Sequence, residues 1–130
     1  MAVNEEQRQT AIAAELAELA RTLAHSTRQI PRPSDSYALL GELGAAQRSL
    51  AQVYEQLSMW HDQVQTGVHH DGEDPSAVTQ HYGVGGAAGR AASLLREAAE
   101  RAGLAEDSLR EAHSANGVVR WFDSTDPTDE

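Results

Sequence analysis

The amino-acid sequence predicts an all-α protein, an antiparallel bundle of three long helices with room for a short fourth near residues 75–82. Three observations lead there. From Leu39 to Val64 an apolar residue stands at every step of a 4-3 spacing: Leu39, Leu43, Ala46, Leu50, Val53, Leu57, Trp60 and Val64. That is the heptad repeat by which one helix keeps a single stripe against a neighbour over a long distance. A second register of the same spacing runs from Ala77 and His81 through Ala88, Ala91, Leu95, Ala98, Ala102, Ala105 and Leu109 to Ala112. Helix-stopping residues then separate the periodic stretches, at Pro31 and Pro33, at Gly67 to Pro75, and at Asn116-Gly117.

The first helix is expected from Asn4 to Arg28. Asn4 can cap it, and Glu5 and Glu6 stand in the first turn, where the helix dipole favours anions. Ile12, Leu16, Leu19 and Leu23 form its seam, and Ala13, Ala17, Ala20 and Ala24 a parallel stripe of small residues. Small side chains beside a leucine seam admit a second close neighbour. Pro31 and Pro33 end this helix, because neither can extend the hydrogen-bond ladder.

The second helix begins at Ser34 or Ser36 and runs to Val64, a rod of roughly 46 Å at the helical rise. Beside its seam lie Leu40 and Tyr54, and then Gly44, Ala51 and Ser58 at seven-residue intervals. This stripe is wider than a two-stranded coil requires and points to a bundle.

Residues 67–75 read as a polar loop, with Asp74-Pro75 suited to opening a helix. Gly83, Gly85, Gly86 and Gly89 interrupt the third register, each costing about 1 kcal/mol relative to Ala in a helix. A break near residues 82–86 is favoured over one continuous helix with a glycine face. Glu97 with Arg101, and Glu106 with Arg110, form i,i+4 ion pairs on the solvated face. Beyond Asn116-Gly117 the segment Val118-Val119-Arg120-Trp121-Phe122 is apolar and β-prone. The domain is accordingly 1–122, followed by an acidic tail, 123–130, of disordered character.

Composition narrows the functional classes. The 130 residues carry a net charge of −10, which argues against broad contact with nucleic acid or anionic membrane. All ten cations are arginine, the pattern of a GC-rich genome. The absence of cysteine excludes disulfides and thiolate metal sites, and fits a cytoplasmic location. No stretch reaches the roughly 20 apolar residues of a membrane span.

Four of the six histidines fall between Trp60 and Tyr82. His61, His69, His70, Asp71 and His81 are ligand types for a divalent metal, but their spacing matches no metal motif. An EF-hand order is absent, and His61-Asp62 alone is a weak signature of metal-dependent hydrolysis. A solvated polar loop is the simpler reading, with no cofactor implied. Arg21, His25, Arg28 and Arg32 form a cationic stretch whose simplest role is to cap free carbonyls at a helix end. Trp60 falls on the seam as a packing residue. Arg120, Trp121 and Phe122 admit two roles: a plug over one end of the bundle, or a docking motif, since aromatics and arginine dominate binding hot spots.

The reading is therefore a non-enzymatic interaction protein, an adaptor, accessory or regulatory subunit. Its partner is another protein or a second copy, because a thin, alanine-rich core asks for completion by another chain as a homodimer. The alternative is a small metal-binding bundle or hydrolase built on residues 61–81. An acidic mimic of nucleic acid is a weaker rival, since the helices mix Arg with Glu.

Overall fold

The computed structural model describes residues 7–63 and 86–123. It is all-helical: α1 spans Gln9–Ser26, α2 Asp35–Asp62 and α3 Gly86–Asn116, with no strand among the described residues. Val64, residues 67–75 and the short helix expected near 75–82 lie outside the described residues. Among the described residues no helix is long and apolar enough to cross a membrane. The chain divides into two compact units, Met1–Ser36 with Arg120–Glu130, and Tyr37–Val119.

In the first unit, α1 is shorter than expected. A 3-10 turn at residues 7–8 precedes it, and no side chain caps its N-terminus at Arg8. It ends at Ser26, well before Pro31, because Thr27 closes the last turn. The Thr27 N–H and hydroxyl both donate to the Leu23 carbonyl, at 2.8 and 2.9 Å. Those bonds satisfy one of the orphan carbonyls left by any helix end. None of the residues of α1 is buried, and Ile12, Leu16 and Leu19 of its seam are exposed.

The second unit is an antiparallel pair. Contacts link Gly41 with His113, Gly44 with Leu109, Arg48 with Glu106, Ser58 with Ala92, and Asp62 with Arg96. The two helices pack closely, in the manner of a helical bundle. The stripe of α2 that faces α3 is not the leucine seam but the one beside it, Gly44, Ala51 and Ser58. On α3 the facing residues are Ala92, Leu95, Ala99, Ala102, Glu106 and Leu109, again in 4-3 spacing. The reason is steric. With a hydrogen, a methyl or a hydroxymethyl at each seventh position, the backbones approach until the buried Ser58 Oγ donates to the Ala92 carbonyl at 2.7 Å. Leucines in those positions would hold the axes toward the wider end of the usual 8–10 Å separation.

The expected core stripe is correspondingly displaced. Leu39, Leu43 and Leu50 are half-buried, whereas Val53 and Leu57 are exposed and Trp60 is 60% exposed. Trp60 packs edge-on against His61, with ring centroids 4.9 Å apart, rather than into α3. The buried side chains of the pair are the small ones, Ser58, Ala92 and Ala102.

Both helix ends of α3 follow from glycine. Gly86 opens it with φ 61°, a left-handed conformation outside the helical basin, while residues 82–85 of the expected break lie outside the described residues. Gly117 stops it, donating its N–H to the His113 carbonyl at 3.0 Å. A Cβ there would stand 3.2 Å from the Ser114 carbonyl oxygen and 3.3 Å from Tyr37 Cε1, so the glycine serves close approach.

Two substitutions in α3 test this packing. Gly103 has open space where a Cβ would stand, so Gly103→Ala raises stability by about 1 kcal/mol through helix propensity. Ala92 is fully buried against α2, so Ala92→Leu lowers stability by about 1–3 kcal/mol through overpacking. Urea denaturation midpoints at constant m-value check both signs.

Candidate functional site

The C-terminal segment and the connector before α2 meet within the first unit. Asp123 accepts the Ser34 backbone N–H on Oδ1 at 2.9 Å and the Ser34 hydroxyl on Oδ2 at 2.8 Å. Both carboxylate oxygens are thus engaged by one serine 89 positions away in sequence. Ser34 directly precedes α2, where a negative group also complements the helix dipole. The Asp123 carboxyl is held below the ordinary aspartate range, first by the Ser34 backbone hydrogen bond, then by the Ser34 hydroxyl, with Arg32 adding its positive charge. Asp123 is thus tied to Ser34 in a clasp, while residues 124–130 of the expected tail lie outside the described residues.

The clasp positions the aromatic residues that precede it. Residues 119–122 take no regular secondary structure, so the β-propensity of this segment is not expressed as a strand. A strand pays off only beside a partner strand, and the described residues hold none. Trp121 is 45% exposed and Phe122 76% exposed, with Arg120 exposed beside them. The aromatic side chains of this segment stand at the surface to different degrees, Phe122 more than Trp121.

The cationic stretch is used locally. Arg21 pairs with Glu18 one turn earlier. Arg28 Nε donates to the His25 carbonyl at 3.3 Å, and its guanidinium stands 3.0 Å from the His25 ring. Arg32 serves Asp123. Capping and short-range pairing account for these side chains.

Of the histidine-rich stretch, only His61 is described. Its Nδ1 lies 2.7 Å from the Leu57 carbonyl, so the Nδ1–H tautomer donates there and the ring is fixed to its own helix. His69, His70, Asp71 and His81 lie outside the described residues. Among the described residues no group of three His, Cys, Asp or Glu side chains could hold a metal ion.

Sequence reasoning missed a polar cluster at the Tyr37 end of the α2/α3 pair. The Glu106 side chain is 13% exposed and accepts from Arg48 Nε at 2.9 Å and from Arg110 Nη2 at 2.6 Å. Tyr37 and His113 stack nearby, with centroids 4.0 Å apart. Leu40, Gly41 and Gly44 help line a groove of about 290 Å³ beside these groups. The Glu106–Arg110 pair was legible as an i,i+4 spacing. Arg48 joined it only through the register of α2 against α3.

The clasp has a defined pH dependence. A carboxyl with a lowered folded-state pKa contributes fully above the ordinary aspartate value and is lost as pH falls through the lowered value. In a Trp60→Phe background, Trp121 fluorescence therefore stays constant down to about pH 4 and changes below it. Asp123→Ala shows the released signal already at neutral pH and abolishes the step. A midpoint at or above the ordinary aspartate value would contradict the clasp. No protein-family model, curated protein or solved structure matches this chain, so its functional reading rests on its own geometry.

Proposed function

We propose that this chain is a non-enzymatic interaction protein, an adaptor, accessory or regulatory subunit that binds another protein through Arg120, Trp121 and Phe122. One observation carries the reading: two large aromatic side chains are exposed on a short irregular segment whose far end is clasped to Ser34. Exposed Trp and Phe next to Arg is the composition of binding hot spots. A segment already held at its end loses less conformational entropy on docking than a free tail would. The acidic chain, with its net charge of −10, suits a basic partner surface and slows encounter with acidic ones.

The double variant Trp121→Ala/Phe122→Ala tests this reading. Neither side chain belongs to a helix, so the helical circular dichroism of the variant stays close to that of the parent. Affinity capture from the native host followed by mass spectrometry then loses the proteins that the parent retains. A variant that captures the same set with the same yield would overturn the assignment of this segment. The metal reading is checked in the same preparations by elemental analysis of untagged protein. Metal-free protein that melts unchanged with added zinc or nickel ends it.

A further inference from the structure

The α2/α3 pair has two unlike sides. Residues advance about 100° around a helix at each step, so the seam of Leu43, Leu50 and Leu57 lies about 100° from the Gly44, Ala51 and Ser58 stripe that faces α3. On α3, Ala91, Ala98 and Ala105 lie about 70° from the stripe that faces α2. Because the helices are antiparallel, both displacements point to the same side of the pair. That side is a trough with a leucine wall on α2, an alanine wall on α3, and no charged residue on either. The opposite side is polar and carries the cross-helix ion pairs Arg48–Glu106 and Arg96–Asp62.

We infer that a second copy of this chain covers the trough, its leucine wall lying over the alanine wall of the first and the reverse. Three observations select that occupant. The trough is self-complementary in shape. A two-fold axis parallel to the helices sets α2 of each copy over α3 of the other, large residues over small ones and every neighbour antiparallel. That is an isologous four-helix arrangement. Length favours a second copy over α1. The seam of α2 from Leu39 to Trp60 spans about 32 Å, whereas the α1 stripe from Ile12 to Leu23 spans about 17 Å. The exposed part of the seam is its C-terminal half, where Val53 is 45% and Leu57 42% exposed. Area agrees as well. A face about 30 Å long and two helices wide buries about 600 Å² per copy, and the total of about 1,200 Å² meets the lower bound of stable interfaces.

This inference shares with the proposed function only the idea that the chain assembles, and the two fail separately. Loss of capture through Trp121 and Phe122 leaves the trough untouched. Light scattering on the full chain at 5–100 µM is expected to give twice the chain mass. Leu57→Glu, on the trough, reduces it to one chain mass with helicity retained, while Met59→Glu, on the polar side, leaves the dimer. Because the chain has no cysteine, pairing can be read directly from two single-cysteine proteins. Leu50→Cys and Ala105→Cys stand at the same level on facing walls, so mixing them under oxidation forms the mixed disulfide in excess over either homodimer. Wild-type protein that stays monomeric at 100 µM overturns the inference, whatever Leu57→Glu does to folding. A dimer whose Leu50→Cys protein cross-links mainly to itself overturns the leucine-over-alanine pairing.

Discussion

The hydrogen bond from Ser58 to the Ala92 carbonyl marks the constraint on which the described structure depends. A side chain as short as serine reaches a neighbouring helix backbone only where the two helices pack closely. That approach rests on small residues at alternate points along the line of contact, and Gly44, Ala51, Ala92, Ala99 and Ala102 supply them. Once the small stripes meet, every other position on α2 and α3 is assigned a side. Polar residues fall on one, where Glu106 is shared by Arg48 and Arg110. Leu43, Leu50 and Leu57 of α2 fall on the other.

This economy has an energetic consequence. Each buried methyl of alanine contributes roughly 0.8 kcal/mol, against about 1.5–3 kcal/mol for a fully buried leucine. The pair therefore gains specificity of register from its small residues and leaves its larger hydrophobic capacity on an outer face. Exposed ion pairs such as Glu97–Arg101 add about 0.3–0.5 kcal/mol each and do not alter that balance. The second copy inferred above would draw on that outer face.

The clasp at Asp123 works by a different principle. It joins positions distant in sequence through two hydrogen bonds to one serine, at a helix start where negative charge is welcome. Small energies suffice there because the clasp need only hold a short segment. Trp121 and Phe122 are consequently displayed on a short tether, and Arg32 does electrostatic work that its place in a cationic run did not suggest.

The sequence by itself determined the three helices, the stop at Asn116-Gly117, the i,i+4 pairs and the presence of two apolar stripes on α2. All of these follow from local periodicity, propensity and backbone chemistry. It did not determine which stripe of α2 meets α3. Hydrophobicity ranks leucine above glycine, alanine and serine, whereas contact between two helices is decided by how closely their backbones can approach. Trp60 was read as core for the same reason and lies on the surface. The bond between Asp123 and Ser34, and the place of Arg48 beside Glu106, depend on residues 89 and 58 positions apart. No local pattern encodes such partners; only the tertiary structure, by fixing the register of one segment on another, decided them.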